Sequence, residues 1–164
     1  MAIYVLTGEI GSGKTTALFN EIKGQINIGG FLSPFRNQIR QFYFIRNGLY
    51  MPMEQLGEHY NTDLVVGKYI FDSKAFNLAK VQFALDWDSS LDLLVLDEFG
   101  PLEFKNQGLL PELNPYLKAA QENTKQNMLI VVRNTLMESF AKLYAVNQII
   151  YKEDVSDFFR KVLG

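Results

Sequence analysis

At 164 residues, 48% apolar and 21% charged, the chain is read as one domain, residues 1–164, with a sizeable core. Its net charge of −2 gives no general pull toward nucleic acid or an anionic membrane. It has no cysteines, so disulfides and cysteine-ligated zinc are excluded, and no apolar run approaches a bilayer span. The sequence opens on an apolar, β-rich run, Met1 to Leu6, with no basic-plus-apolar lead of signal type. Thr7 then leads into GEIGSGKTT, Gly8 to Thr16. Here Gly8, Gly13, Lys14 and Thr15 satisfy G-x-x-x-x-G-K-[ST], the phosphate-binding P-loop.

That loop has a physical logic. Backbone N–H groups must turn inward on phosphate, and Gly8, Gly11 and Gly13 permit the angles this needs. A helix beginning near Lys14 aims the positive end of its dipole at the anion. The expected nucleotide-binding set is Gly8, Glu9, Ile10, Gly11, Ser12, Gly13, Lys14, Thr15 and Thr16. Lys14 would reach the β- and γ-phosphates, and Thr15 would ligate Mg²⁺.

The helix, with Ala17, Leu18, Ile22 and Ile26 on its apolar face, is expected to run to about Asn27 and stop at Gly29-Gly30. GGFLSPFR, QFYFIR and Leu49 to Met51, the last two separated by an Asn47-Gly48 turn, read as a small strand meander, partly antiparallel. Glu54 to Asp63, with the lone His59, reads as a polar loop without a role for the histidine. GKYIF (Gly67 to Phe71) is extended. Asp72 or Ser73 caps a helix from Lys74 to Leu85 with Phe76, Ala79, Phe83 and Ala84 inward, and Trp87 anchors the core. LDLLVL, Leu91 to Leu96, is apolar enough for a strand buried on both faces of a parallel sheet. A turn follows at Phe99-Gly100-Pro101. Asn114-Pro115 reads as an N-cap with proline at the first helical position. MLIVV, Met128 to Val132, is another buried strand, and Thr135 with Glu138 reads as a capping box. Leu136, Phe140, Leu143 and Tyr144 form that helix's stripe, Gln148 to Tyr151 a last strand, and Val155, Phe158, Phe159 and Val162 the face of a closing helix. This alternation implies a three-layer α/β sandwich around a mainly parallel sheet.

The second half of a phosphate site lies at Asp97-Glu98. Asp97 follows the apolar strand, where P-loop NTPases place the carboxylate that holds Mg²⁺. Two adjacent carboxylates repel, and a Mg²⁺ ion that neutralises Asp97 relieves this. Glu98 is then placed to orient or deprotonate an attacking water. P-loop ATPases of the additional-strand class carry such a glutamate, and in them MLIVV would lie between the P-loop strand and the Asp97 strand. Its tip would bring Arg133 or Asn134 to the γ-phosphate, with Arg133 as the charge-stabilising group or simply a surface arginine at a strand end. Arg36, Arg40 and Arg46 cluster on or beside the meander, where they could cover the phosphates, bind a partner or decorate a solvated edge strand, the last reading being favoured for Arg40 and Arg46. Asn123-Thr124-Lys125 lacks the spacing and the aspartate of a guanine-reading motif.

In order, GEIGSGKTT, GGFLSPFR, VGKYIF, LVLDEFGPLE and IVVRN resemble the THEP-type small P-loop nucleoside-triphosphatases over nearly the whole chain. The more specific parts are D-E-x-G-x-x-E, Asp97 to Glu103, and G-F-x-[ST]-x-x-x-R, approximately Gly30 to Arg36. Positions matching the family are Gly8, Gly13, Lys14, Thr15, Asp97, Glu98, Gly100, Glu103 and Arg133. Pro101 stands where members often carry lysine. The resemblance implies a RecA-like fold of the additional-strand class and Mg²⁺-dependent hydrolysis of several nucleoside triphosphates to diphosphate and phosphate. A P-loop nucleotide or small-molecule kinase, or a nucleotide-switched protein- or RNA-binding module, would use the same parts. The expected setting is the cytoplasm, with a nucleoside triphosphate as partner, nucleic acid and membrane not expected, and no protein partner indicated.

Overall fold

A computed structural model describes residues 2–55, 64–122 and 126–164. The readings of His59 and of Asn123-Thr124-Lys125 therefore lie outside the described residues. Strand β1 (Ile3–Leu6) runs through the glycine loop into helix α1 (Lys14–Ile22). Strands β2 (Ile28–Leu32), β3 (Phe35–Arg36), β4 (Ile39–Phe44) and β5 (Leu49–Pro52) make the meander, followed by a separate hairpin of β6 (Val65–Val66) and β7 (Tyr69–Ile70). Then come α2 (Ser73–Trp87), β8 (Leu93–Phe99), α3 (Pro101–Phe104), α4 (Leu110–Gln121), β9 (Asn127–Val132), α5 (Met137–Leu143), β10 (Gln148–Ile150) and α6 (Val155–Leu163).

Among the described residues the central sheet has the order β10-β1-β9-β8-β2-β4-β3, with β5 paired to β4. Every pairing from β10 to β2 is parallel, and β4 turns antiparallel against β2, β3 and β5. Strand β9 thus lies between β1 and β8, the order expected of the additional-strand class. Strand alternation divides the core into two faces. Ile3, Val5, Leu94, Leu96, Met128 and Ile130 pack with Phe76 and Phe83 of α2, Leu117 of α4 and Phe140 of α5. Leu6, Val95, Leu129 and Val131 pack with Leu18 of α1 and Phe158 and Phe159 of α6. The three layers follow from that division.

Several local expectations fail for identifiable reasons. Helix α1 ends at Ile22 because Gly24 already takes a left-handed φ of 90°, and Ile26, assigned to its apolar face, is 86% exposed. Pro115 is not an N-terminal proline. It lies inside α4, which starts a turn earlier with Pro111 near its N-terminus, and Asn114 instead accepts from the Tyr144 hydroxyl at 3.0 Å. Thr135 and Glu138 form no capping box. A 3-10 turn over Asn134–Leu136 precedes α5, and the Asn134 side chain accepts from Thr135 N at 2.9 Å. The turn at Phe99-Gly100-Pro101 is the end of β8 followed by α3, and Leu143 faces solvent. Trp87 is half-buried at the core's margin against Tyr116. Asp72 does cap α2, accepting from Lys74 N.

The early strand carries one strict steric demand. Gly30 has φ +88°, and a methyl on it would stand 2.0 Å from the Val95 carbonyl oxygen. Its N–H donates to Asp86 Oδ2 at 2.7 Å. Asp86 is fully buried and also receives Gln82 Nε2 at 2.9 Å and Arg46 at 3.4 Å, so Arg46 closes this cluster rather than decorating an edge. Gly30→Ala is expected to cost at least about 3 kcal/mol, lowering Tm by roughly 6–12 °C in a domain of this size. A melting curve superimposable on wild type would contradict the close approach.

Candidate active site

The site is assembled where three parallel strands end. From β1 comes the loop, with positive φ at Gly8, Gly11 and Gly13; Gly13 is the left-handed N-cap of α1. Lys14 is buried and folds back over the loop, donating to Gly8 O at 3.0 Å, Glu9 O at 2.6 Å and Ser12 Oγ at 3.4 Å. Burial holds its pKa below the usual lysine value, against the upward pull of Glu98 and Asp97. Ile10 to Thr16 line a cavity of about 480 Å³. Gly8 and Glu9 stay outside its lining and serve Lys14 through their carbonyls.

From β8 comes Asp97, 2% exposed. Its Oδ2 accepts from Thr15 Oγ1 at 2.8 Å and from Ser33 N at 3.0 Å, which ties the first turn of α1 to the tips of β2 and β8. Ser33 Oγ also donates to the Asp97 carbonyl. Burial pushes the Asp97 carboxyl up to about 6, while the Ser33 and Thr15 bonds pull it down. A desolvated carboxylate of this kind favours a cation, and the hydroxyl and carboxylate of Thr15 and Asp97 are hard oxygen donors. Among the described residues no three acidic, histidine or cysteine side chains converge as a full protein cage. Two protein oxygens, with water and phosphate completing the shell, suit Mg²⁺, so the residues present fit that ion.

Glu98 follows Asp97 directly, and strict alternation would send it to the opposite face. Instead the ladder with β9 shifts register between Asp97 and Phe99. Both carboxylates therefore line the same cavity. Arg133, just after β9, pairs through Nε with Glu98 and lines the cavity too. Next to it, Asn134 Nδ2 donates to Glu9 Oε1 at 2.5 Å, fastening the β9 tip to the glycine loop. Of the expected site residues, Ile10 to Thr16, Asp97, Glu98 and Arg133 are thus brought to one cavity, while Gly8 and Glu9 lie outside its lining.

Four residues take parts that the sequence left unassigned or read otherwise. Ser33 positions Asp97 from both its N–H and its hydroxyl, and its only sequence signal is the serine of GGFLSPFR. Arg40 lines the cavity and donates weakly to Ser33 O at 3.4 Å rather than merely decorating β4. Lys152 places its ammonium beside Gly13, 3.3 Å from where a methyl would stand. Glu103 is 4% exposed and accepts from Gly100 N at 2.9 Å and Leu109 N at 3.2 Å, bracing the segment after Glu98.

Burial pushes the Glu103 carboxyl up to about 7 from its ordinary 4.5, although its N–H donors favour the ionised form. A carboxyl raised on folding contributes stability that is fully present below about pH 4.5 and lost as pH rises through about 7. Wild-type Tm is therefore expected to fall between pH 6 and 7.5, above the Asp97 range, and Glu103→Gln should flatten that slope. The difference is about 1 kcal/mol per pH unit at most, or roughly 2–4 °C per unit. Parallel slopes in a pH series of melts would mean that Glu103 stays ionised.

A glycine loop opening a helix, a buried aspartate two strands away and a strand inserted between them define a P-loop NTPase of the additional-strand class. A family model described as NTPase matches residues 3–158, and the chain belongs to this THEP1-type NTPase family. Two solved structures share its fold. THEP1 from the hyperthermophile Aquifex aeolicus superposes with a TM-score of 0.73 at 15% identity, covering 98% of each chain. A human cancer-related nucleoside triphosphatase superposes at 0.69 and 17% identity, covering 99% of this chain and 96% of the other. No curated protein sequence gives a significant match.

Proposed function

We propose that this NTPase hydrolyses several nucleoside triphosphates to diphosphate and phosphate in a Mg²⁺-dependent reaction. One observation carries the reading: Glu98 and Arg133 face the same cavity as the P-loop and Asp97. The loop from Gly8 to Thr16 would hold the phosphates, and Lys14 would exchange its loop carbonyls for phosphate oxygens. Thr15 and Asp97 would hold Mg²⁺, which supplies charge neutralisation at the phosphates. Glu98 would accept a proton from the attacking water. Arg133 would exchange Glu98 for the transferring phosphoryl group, releasing the base as it gains the anion. Phe19, Phe35 and Tyr50 line the same cavity. Aromatic faces stack on any base, which suits loose base preference. A setting rich in nucleotide and Mg²⁺, the cytoplasm, belongs to the same reading; among the described residues no helix is long and apolar enough to cross a membrane.

Phosphate release across the common ribo- and deoxyribonucleoside triphosphates, with Mg²⁺ and with chelator, tests this. Release is expected from several of them and is lost with chelator. Turnover that survives chelation would remove the metal from the proposal, and ATP loss without free phosphate would remove hydrolysis.

A further inference from the structure

A second cavity, of about 260 Å³, adjoins the first. Ser33, Arg40, Glu98 and Arg133 line both, so the two meet at the acid–arginine pair. Its remaining walls are mostly apolar, with Phe42, Tyr69, Phe71, Phe76, Leu102 and Leu109 prominent. The ring of Phe76 lies 5.2 Å from that of Phe42 and 5.6 Å from that of Phe71, and Phe71 stacks on Tyr69. The β6–β7 hairpin supplies Val66, Gly67 and Tyr69 to the lining, although it is no part of the central sheet. Its residues have no place in the phosphate cavity.

Protein interiors seldom keep voids much larger than a water molecule. A cavity of about 150 Å³ already holds benzene, so this one has room for a substituted ring. Glu103 also lines it, but its two oxygens are engaged by Gly100 and Leu109. Apart from the Tyr69 hydroxyl, the side-chain polar groups left to meet a ligand's polar end are those shared with the phosphate cavity, and among them Glu98 is the one that can take a proton. A ligand seated here would therefore turn its ring to the aromatic wall and its polar atom to Glu98.

We propose that this cavity is an acceptor site for a small aromatic alcohol, whose hydroxyl takes the place of the attacking water. The proposal rests on Glu98 as base and Arg133 as charge stabiliser. In the step, the alcohol oxygen bonds to the γ-phosphorus as the bond from that phosphorus to the β,γ-bridging oxygen breaks. The electron pair of the broken bond leaves on the diphosphate, and the hydroxyl proton passes to Glu98 and then to solvent. The products are a phosphate monoester and a nucleoside diphosphate. Without an alcohol in the cavity, water reacts and the outcome is hydrolysis.

The test supplies ATP and Mg²⁺ with benzyl alcohol, 4-methylbenzyl alcohol or 2-naphthalenemethanol. Ester formation is followed by phosphorus NMR and mass spectrometry, free phosphate by colorimetry, and probe binding by saturation-transfer NMR beside a non-hydrolysable ATP analogue. Saturable binding and ester formation at the expense of free phosphate are expected. Leu102→Trp and Val66→Trp, which fill the cavity from two sides, should cut ester formation at least about tenfold and leave phosphate release within about threefold. Val66 is only half-buried on the hairpin, so that variant stands in if Leu102→Trp does not fold. No binding of any probe, binding without ester, or ester formation undiminished in the folded variants overturns the acceptor site. Phosphate release that persists in the first two cases leaves the hydrolase reading intact, whereas loss of both products overturns both.

Discussion

Glutamine in place of Glu98 is expected to leave nucleotide affinity within about threefold of wild type and to lower steady-state phosphate release by about 10²–10⁴-fold. The substitution keeps the shape of the side chain and removes its negative charge together with its capacity to accept a proton. Glu98 lines the phosphate cavity, at the one point where β8 and β9 lose register. Its partner there is Arg133. The variant weakens that pairing, so Arg133 remains available to phosphate and affinity has no reason to fall. Calorimetry with a non-hydrolysable analogue and a phosphate-release assay separate the two effects. Turnover at the wild-type rate would show that Glu98 does not serve the water.

Lys14→Ala should act on binding instead. The ammonium is buried, and three loop oxygens hold it within 3.4 Å. Truncating one partner of a buried, hydrogen-bonded charge pair costs about 2–5 kcal/mol, which here means a loss of Mg-nucleotide affinity from about 30-fold to several thousandfold. Thermal shift gives an independent readout. A nucleotide present at about 100 times its Kd stabilises the wild type by about 2.7 kcal/mol. That gain should fall below about 1 kcal/mol in the variant even where its own melting point has moved through loss of the loop bonds. Equal affinities by calorimetry would remove Lys14 from the phosphate site.

The sequence showed the parts of this site more clearly than their attachments. Gly8 to Thr16 and Asp97-Glu98 were legible because phosphate and cation chemistry restricts residue type and spacing. The continuous apolar runs of β8 and β9 announced a sheet buried on both faces, and the place of β9 between β1 and β8 followed from the class that Glu98 indicated. The attachments were hidden because they depend on long-range contacts. Nothing local marks Ser33 as the holder of Asp97, 64 residues away. Nor does any periodicity reveal the irregularity that turns Glu98 toward Asp97. The Glu103 bond to Gly100, by contrast, is a local one at the start of α3 that the reading of a turn there concealed. The errors at Pro115 and Thr135 share another cause. In each place an asparagine, Asn114 or Asn134, had a better use for its side chain than the local motif suggested. At Ile26 the decisive signal was Gly24, which ended the helix before the more conspicuous glycine pair.

The position of β9 also sets the order in which the molecule can be completed during synthesis. Among the described residues, β1 pairs only with β9 and β10. The bond from Ala2 N to Asn127 Oδ1 spans 125 residues. The glycine loop is therefore made well before β9, and the strand that carries it has no neighbour until β9 follows. At about 5–20 residues per second that interval is on the order of 10 s. Until β9 arrives, the loop has no sheet to hold it beside Asp97. Capture of a nucleotide is thus tied to the synthesis of β9, and a nascent chain stalled before Asn127 would carry the whole P-loop sequence without the site.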